Sequence, residues 1–383
     1  ESNRGRSDRE IIRVQPMAEE YITKIVEVDE LEKDKEQAYK DEITRLKRLL
    51  REQYREQNLA EEIREKAFNL SRQSLDPPEW ISEDSGNKNP GTPTLFLSDW
   101  HWAEVVDPSE ISGKNQYNLD IANQRAQLCF DRFIEVYHKH VSFPEYPGCV
   151  IALGGDMVSG TIHDELKETN EIDIMPTVMD LSEVLIAGIK KLLLHFPKIA
   201  SFCVTGNHGR YTQNKRFKRR AYTSFDWLLY CMVEKYFQHD DRVKFVVPTG
   251  PDVMYKIHNT TYLLSHGDML GRGGDGIIGM LGPVTRGDHR RRTRQMGLGD
   301  PYDVLICGHW HQLAMLRSRI VNGSLKGYDE FAYTLGFQPE PPMQASWLTH
   351  PKHGITMQIP IFCDKIPHVE HYSPAKWVSW AKI

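Results

Sequence analysis

Residues able to bind a metal ion follow an apolar segment at residues 94–102, TLFLSDWHW. This run has strand character and stops at Asp99, and His101 follows two positions later. Because side chains alternate along an extended chain, a carboxylate and an imidazole at i and i+2 can point to the same side. An oxygen ligand and a nitrogen ligand then face one point in space, which suits a divalent metal ion. One Asp-x-His pattern is common by chance, so it needs support from the rest of the chain.

Four further apolar segments supply that support, because each ends in residues that can bind a metal. They are CVIALGGD with Asp156, ASFCVTGNH with Asn207 and His208, TTYLLSHGD with His266, and DVLICGHWH with His309 and His311. Each is typical of a buried strand that leads into a turn containing glycine. Since ligands gather at the carboxyl ends of strands in such sheets, we expect these five strand ends to meet.

Taken together, the five segments resemble the calcineurin-like metallophosphoesterase superfamily, which includes purple acid phosphatases, protein phosphatases and SbcD-type repair nucleases. The matching motifs occur in the family's order within residues 94–365, and they are DWH at 99–101, GGD at 154–156, GNH at 206–208, SHGD around His266 and GHWH at 308–311. Longer phrases such as GGDMVSG and TRGDHRRR resemble a group of phage and prophage phosphoesterases.

The resemblance implies an α/β fold in which two mixed β-sheets form a sandwich flanked by helices. It also implies a centre of two divalent ions, which hold a bridging water and clamp the attacking and leaving oxygens of an in-line displacement at phosphorus. By analogy with the family, Asp99, His101 and His311 hold the first ion, Asn207, His266 and His309 hold the second, and Asp156 bridges them. Manganese is the expected metal, although iron and zinc suit these ligands comparably.

His208 is predicted to be catalytic, together with Asp156, because it matches the family's non-ligand histidine. That residue stabilises charge in the transition state or protonates the leaving oxygen. The chain departs from the family here, because GNH is usually followed by Asp and this sequence has Gly209. An acidic partner for His208 is therefore absent or comes from elsewhere, with Asp268 and Asp164 as candidates.

Two basic runs stand out in a chain whose formal net charge is −5: GRYTQNKRFKRR at 209–220 and TRGDHRRRTR at 285–294. Interleaved Tyr211 and Phe217 could offer stacking surfaces to nucleic-acid bases. The runs are predicted to be loops that contact phosphates, with ordinary solvated loops as the alternative. The predicted substrate contacts are Arg210, His163, Lys215, Arg219 and Arg291.

The chain before the motifs has a different character. Residues 1–74 are predicted to be a charged helical extension with a mobile N-terminus, because residues 28–70 are rich in helix formers and lack Gly and Pro. Its thin apolar stripe favours a partner contact or a homodimer, and a solvated helix fits equally. Residues 75–93 are predicted to be a linker, and residues 94–383 the metallophosphoesterase catalytic domain.

Composition excludes several classes of protein. Of the 383 residues, 40% are hydrophobic and 26% charged, which is typical of a globular protein and argues against a disordered or membrane protein. No apolar run approaches the roughly 20 residues that span a bilayer, and residues 1–10 lack an apolar signal core. We therefore expect a cytoplasmic location, in a bacterium or a phage-infected host. The six scattered cysteines form no CxxC pair, which favours free thiols.

These features favour a dinuclear metal-dependent phosphoesterase that hydrolyses phosphodiester bonds by attack of a metal-bridging hydroxide. The basic runs and the distant likeness to SbcD-type enzymes favour a DNA nuclease. One alternative is a phosphomonoesterase that acts on a phosphoprotein or a small phosphate ester. Another is an assembly or binding protein in which residues 1–74 do the biological work and the metal site is vestigial.

Overall fold

The computed structural model describes residues 91–141, 145–271 and 279–365, together with Asp41, Thr44, Arg45, Lys47 and Arg48. The strands are β1 (Thr92–Leu97), β2 (Cys149–Leu153), β3 (Ile199–Cys203), β4 (Val243–Val246), β5 (Asp252–Ile257), β6 (Thr260–Ser265), β7 (Val304–Cys307), β8 (Ala314–Leu316), β9 (Arg319–Val321), β10 (Met343–His350) and β11 (Gly354–Phe362). The α-helices are α1 (Leu119–Glu135), α2 (Asp164–Thr169), α3 (Ile174–Leu192), α4 (Phe225–Tyr236), α5 (Leu281–Leu298) and α6 (Glu330–Thr334).

The first sheet contains three of the strands that lead into predicted metal-binding motifs. Over the described ranges its six strands run in the order β11-β10-β1-β2-β3-β4. Strands β1 to β4 are parallel, and β10 and β11 add an antiparallel edge. Helix α1 connects β1 to β2 and helix α3 connects β2 to β3, which gives the crossover expected between parallel strands. Parallel pairing places the residues that follow β1, β2 and β3 at one edge of the sheet.

The second sheet contains the other two of these strands. In the part of the chain that is described, its five strands follow the order β5-β6-β7-β9-β8. Strands β6, β7 and β9 are parallel, whereas β5 and β8 pair antiparallel at the two edges. The motifs after β6 and β7 therefore lie side by side, as the motifs after β1, β2 and β3 do in the first sheet.

The side-chain alternation of the strands divides the interior into layers. In β2, Val150 and Ala152 enter an apolar cluster shared with β6 and β7 of the other sheet, whereas Ile151 and Leu153 enter a cluster with α1, α3 and α4. A third cluster joins the outer face of β6 and β7 to α5 through Val284. The result is two mixed sheets packed face to face with helices on both outer sides. The predicted α/β sandwich is confirmed.

Several predicted elements differ in detail from the observed ones. Strand β1 begins at Thr92, ahead of the predicted domain start at Thr94. The basic run at 285–294 was predicted to be a loop, and this is wrong because it lies inside helix α5. The carboxylate of Asp288, in α5, is buried. It forms ion pairs with Arg292 of the same helix and with Arg319 of β9. The ion pair between Asp288 and Arg319 thus adds to the apolar contact of Val284 in holding this helix to the sheet.

The predictions for the N-terminal extension fall mostly outside the described residues. The chain divides into two units, Glu1–Asn69 and Leu70–Ile383. In the first unit, the five described positions between Asp41 and Arg48 are helical and exposed. The remainder of the predicted helix, the linker up to residue 90 and the predicted partner contact lie outside the described residues.

The cysteines and the hydropathy of the helices can be checked directly. All six cysteines are buried and free, as predicted, and Cys149, Cys203 and Cys307 lie in the core strands. No helix among the described residues is both long enough and apolar enough to cross a membrane.

Candidate metal centre

The loops after five strands meet at one place, where main-chain hydrogen bonds tie them together. The Asp99 N–H donates to the Gly155 carbonyl at 3.0 Å, and the His101 N–H donates to the Asp156 carbonyl at 3.1 Å. In the second sheet the Gly308 N–H donates to the His266 carbonyl at 2.8 Å. The DWH and GGD loops are thus paired, as are the SHGD and GHWH loops. Side chains that are far apart in sequence are held at fixed mutual distances.

Unusual backbone angles mark this region. Left-handed φ values occur at Asp99 (57°), His101 (47°), Asp156 (51°), His309 (72°) and His311 (54°). A non-glycine residue in this conformation costs about 1–3 kcal/mol and persists only where the surroundings impose it. Five predicted metal ligands share the feature, so the fold holds them in an unfavourable backbone geometry that aims their side chains.

The glycines of the motifs permit the close approach of the carboxylates. A Cβ atom on Gly206 would lie 2.0 Å from Asp156 Oδ1, and one on Gly308 would lie 2.2 Å from Asp99 Oδ2. Any side chain at either position would displace the carboxylate beside it. The glycines in GNH and GHWH are therefore required by the site and not only by the turns.

Asp99, His101 and His311 form the first ligand cluster. Their ligand atoms all lie within 4.8 Å of one another. His101 Nε2 is 3.1 Å from His311 Nε2, and His311 Nε2 is 3.5 Å from Asp99 Oδ1. Asp99 and His101 are fully buried, whereas His311 is partly exposed. Two imidazole nitrogens and a carboxylate oxygen that converge in this way offer a ligand set for a cation.

Asp156, His266 and His309 form the second cluster, again with ligand atoms within 4.8 Å of one another. His266 Nε2 lies 2.9 Å from Asp156 Oδ2 and 3.2 Å from Asn207 Oδ1, so the predicted amide ligand is also present. His266 Nδ1 lies 2.8 Å from the Gly154 carbonyl. Since a carbonyl only accepts, Nδ1 carries the proton, and in the neutral ring Nε2 keeps a lone pair for a metal.

The charge of the centre also suits cations. Asp99 is buried, which favours the neutral acid, but His311 outweighs this effect and lowers the pKa of Asp99. Burial opposes ionisation of Asp156 as well, and His266 nevertheless holds its pKa well below the usual range. Conversely, burial disfavours a charged His266, yet Asp156 raises the pKa of His266 to about 10. Asp156 Oδ2 is buried and faces His266 Nε2 at 2.9 Å. The two ionised carboxylates thus create a negative site, and the residues present fit divalent ions.

His208 lies beside both clusters. Its ligand-capable nitrogen is within 4.8 Å of ligand atoms of His101 and Asp156, and its ring centroid is 4.5 Å from that of His101. The Nδ1 atom donates to the Ser159 carbonyl at 3.1 Å, which leaves Nε2 for another partner. Burial lowers the pKa of His208 to about 3.

Neither candidate for an acidic partner of His208 is correct. Asp268 forms ion pairs with Arg220 at 3.0 Å and Lys215 at 3.3 Å, and Asp164 pairs with Lys167 on the exposed surface of α2. The main-chain carbonyl of Ser159 orients the ring instead. A backbone acceptor has no signature in the side-chain sequence, so the motif comparison could not reveal it.

Glu104 is a functional residue that the sequence analysis missed. Its Oε2 lies 3.0 Å from His101 Nδ1, so the carboxylate orients the ring and leaves Nε2 facing the first cluster. The other oxygen pairs with Lys326 Nζ at 2.6 Å, and Lys326 also pairs with Asp329 at 2.6 Å. All three side chains are nearly inaccessible to solvent. Only the position of Glu104 three residues after His101 could have suggested the contact.

Asp226, at the start of α4, is a second missed residue. Its carboxylate accepts main-chain N–H groups of Asp156 at 3.0 Å, Met157 at 3.1 Å and Gly206 at 2.8 Å. It therefore joins the GGD loop to the GNH loop from behind. A Cβ atom on Gly209 would lie 2.9 Å from the Asp226 carboxyl carbon, which explains the glycine after GNH. Burial, with Asp156 nearby, raises the pKa of Asp226 to about 6.

The predicted substrate contacts lie in different places. A cavity next to the metal centre has Asn207 in its lining. Three of the predicted contacts also line it: Arg210, Lys215 and Arg291. Three nitrogens of Arg210 donate to the carbonyls of Asn207, Thr212 and Gln213, so this side chain also braces its own loop.

The other two predicted contacts lie away from that cavity. The His163 ring centroid is 5.7 Å from that of His208, which places His163 at the metal centre. Arg219 is exposed, and its guanidinium lies over the Tyr222 ring at 5.6 Å. It is not among the residues that line the cavity.

Comparison with known proteins gives distant structural likenesses only. No protein-family model matches the chain, and no curated protein matches it. A dimetal phosphatase from Danio rerio is similar over 72% of this chain and 100% of its own, with 10% identity and a TM-score of 0.31. A protein described as a 5′-nucleotidase from Staphylococcus aureus is similar over 73% of this chain and 56% of its own, with 12% identity and a TM-score of 0.33. These likenesses are too distant to transfer an activity, and the fold and site above stand on this chain's own geometry.

Proposed function

We propose that the chain is a metal-dependent phosphoesterase with two divalent ions, and that it hydrolyses phosphodiester bonds in nucleic acid, DNA first among them. One observation carries the proposal. Asp156 shares one ligand group with His101 and another with His266 and His309. It therefore stands between the two clusters, in the position that a bridging carboxylate needs.

In this proposal the first ion is held by Asp99, His101 and His311, and the second by Asn207, His266 and His309. Bound there, two divalent cations, with manganese expected, polarise the phosphoryl group and activate water for in-line displacement. The backbone strain at four of these ligands and at Asp156 supports the assignment, because such strain collects where side chains must be aimed.

The chain's own residues then position the substrate. His208 is fixed by its Nδ1 hydrogen bond to Ser159, so Nε2 is the atom available to contact a phosphoryl or leaving oxygen. The His163 ring centroid lies 5.7 Å from that of His208, so His163 is a further candidate for a phosphate contact. Glu104 and Asp226 act on the ligands instead, by orienting the His101 ring and by joining the loops of Asp156 and Asn207.

Preference for a diester in a polyanion is supported by the charge beside the centre. Among the described residues, the cavity that includes Asn207 is lined by seven cationic side chains and by two carboxylates, Asp252 and Asp268. A positive surface next to two metal ions would attract a phosphate backbone and orient it across the site. A small phosphomonoester at the metal centre would reach few of these cations.

The test is an assay of the manganese-loaded chain on bis(p-nitrophenyl) phosphate, p-nitrophenyl phosphate and end-labelled DNA. We expect rapid cleavage of the diester and of DNA. Asp156→Asn should abolish both activities, and it should also reduce manganese binding measured by calorimetry. Asp131→Asn is the matched control, because Asp131 forms only a surface ion pair with Lys191.

Two results would count against the proposal. Turnover of the monoester alone would identify a phosphomonoesterase that uses the same centre. Full diester cleavage by Asp156→Asn, with unchanged metal binding, would remove the centre from the reaction altogether.

A further inference from the structure

The cavity beside the metal centre has a volume of about 310 Å³. Part of its lining comes from the segment after β3, with Arg216 and Phe217, and another part comes from α5, with Arg290 and Arg294. Asn207, whose Oδ1 lies 3.2 Å from His266 Nε2, belongs to both the cavity and the second ligand cluster. Ligand pockets have volumes of about 300–1,000 Å³, so this one suits a single nucleotide better than a duplex.

Helix α5 reaches the cavity because Gly287 allows close packing. A Cβ atom at Gly287 would lie 2.5 Å from the Leu270 carbonyl, in the loop that follows β6. Arg290 and Arg294 are four residues apart and share one helix face, so both guanidinium groups point to the same side. The close contact therefore brings two arginines from the second sheet's helix opposite the GNH loop of the first sheet.

The cations in the cavity are only partly balanced. Asp252 is shared by Arg291 and Arg294, and Asp268 is shared by Lys215 and Arg220. Each carboxylate therefore neutralises one of its two cationic partners and leaves the charge of the other unbalanced.

Three further cations, Arg210, Arg216 and Arg290, have no acidic partner among the described residues, and Arg210 is already held by three carbonyls of its own loop. Neither Arg216 nor Arg290 pairs with a carboxylate in the part of the chain that the structure describes, and Arg290 donates only to the Leu270 carbonyl. A phosphate group supplies the anion that these side chains lack.

Apolar surface completes the cavity. Phe217 is 84% exposed although it is a large aromatic side chain, and Met269 is 39% exposed on the same lining. An exposed aromatic ring beside unpaired arginines is the combination that binds single-stranded nucleic acid, with a base on the ring and a phosphate on the cations. A free inorganic anion would use the arginines alone.

We propose that this cavity is a subsite for one nucleotide of a single-stranded polynucleotide, adjacent to the phosphodiester that lies at the metal centre. Phe217 stacks on its base, and Arg216 with Arg290 binds its phosphate. The subsite rests on the proposed phosphodiesterase activity and goes further, because it sets a minimum substrate length. The best substrates must carry a nucleotide beyond the bond that is cleaved.

The experiment measures binding without catalysis. Fluorescein-labelled thymidine oligonucleotides of one to six residues are titrated with full-length Asp156→Asn protein, and the affinity is read from fluorescence anisotropy. We expect the affinity to rise about tenfold when the oligonucleotide gains the one nucleotide that occupies the cavity. Further nucleotides should change the affinity little. Arg216→Ala and Phe217→Ala should each remove most of that step, and both residues are exposed, so the fold is retained. Arg216→Ala should also reduce the slope of log affinity against log salt by about 0.7.

The matched control is Arg317→Ala, an exposed arginine in the turn between β8 and β9. On the active protein, the ratio of kcat/KM for the trinucleotide to kcat/KM for bis(p-nitrophenyl) phosphate should fall about tenfold in Arg216→Ala and stay constant in Arg317→Ala.

An affinity that rises evenly with length, or a fall of equal size in Arg317→Ala, would overturn the subsite. Failure of the proposed function is separate, because it appears as absent hydrolysis of the small diester, whereas the anisotropy step needs no chemistry.

Discussion

Replacement of Asp226 by Asn tests whether the two loops of the centre are held together from behind. In the wild-type chain, Asp226 Oδ2 accepts from the Asp156 and Gly206 N–H groups, and Oδ1 accepts from the Met157 N–H. An amide has one acceptor oxygen, so the NH₂ group of Asn must face at least one of these donors. The substitution changes almost no volume, and its effect comes from hydrogen bonding and charge alone.

The magnitude follows from counting the donors. A buried N–H group that loses its partner costs about 1–3 kcal/mol, and a bond to a charged acceptor is stronger than one to an amide. One unsatisfied donor and two weakened bonds give a destabilisation of about 2–4 kcal/mol for Asp226→Asn. Asp226→Ala would leave all three donors unsatisfied, at about 3–9 kcal/mol, which is comparable with the whole stability of a domain.

The assay is urea denaturation with EDTA present, so that metal binding does not contribute, followed by calorimetric titration of manganese into the folded protein. Asp226→Asn should lower the free energy of unfolding by about 2–4 kcal/mol and weaken manganese binding, because Asp156 and Asn207 lie on the two loops it joins. Asp131→Asn, on the surface, should change stability by less than about 0.5 kcal/mol. A loss below about 1 kcal/mol for Asp226→Asn, with unaltered manganese affinity, would refute the reasoning.

The remaining predictions concern close packing, a buried charge and pH. Gly206→Ala should weaken manganese binding by about 10–100-fold in calorimetry, because its Cβ atom would lie 2.0 Å from Asp156 Oδ1. Lys326→Met should lower the free energy of unfolding by about 3–5 kcal/mol in urea with EDTA, since it leaves the buried Glu104 and Asp329 without their cation. Burial raises the pKa of Glu234 from 4.5 to about 7, so between these pH values the folded chain binds a proton that the unfolded chain has released. Stability should therefore fall by about 2 kcal/mol as the pH rises from 5 to 8, and Glu234→Gln should remove that part of the dependence.

Each of these has its own check. Gly297→Ala is the control for Gly206→Ala, because no atom lies within 4 Å of its added Cβ, and equal metal affinity in the two variants would disprove the steric argument. For Lys326→Met, a stability change below about 1 kcal/mol would show that the three charges are not coupled. For Glu234, identical pH profiles of the wild-type chain and the Gln variant would remove that carboxyl from the explanation.

Much of the fold follows from local pattern. Each of the five segments predicted to be strands before a motif forms one, because a short apolar run between turns can bury both faces only in a sheet with helices outside it. The basic segment at 285–294 did not follow its pattern. Its helix carries a local i,i+4 pair between Asp288 and Arg292, and it is docked by Arg319 of β9, which meets Asp288 only in the folded chain.

The candidate site also has a part that could be predicted from the sequence and a part that could not. The types and spacing of Asp99, His101 and the later motif residues, with the glycines beside them, sufficed to predict which side chains gather, because parallel strands bring their carboxyl ends to one edge. The residues that orient these side chains were not predictable. Asp226 reaches the main chain of Asp156 across 70 positions and that of Gly206 across 20, and Ser159 reaches His208 across 49 positions through its carbonyl, so no sequence pattern has their period. Glu104 lies only three residues after His101, but its other oxygen is held by Lys326, 222 positions away.

The sequence by itself therefore determined the chemistry that is possible: hard oxygen and imidazole ligands at strand ends, and an excess of cations in two segments. Tertiary structure alone decided which of those cations face the centre. Arg216 and Arg290, from two different elements, line one cavity, whereas Arg219 lies over the Tyr222 ring. The physical reason is that periodicity governs contacts within an element, while the meeting of a loop and a distant helix depends on how closely two backbones pack, here at Gly287 against Leu270.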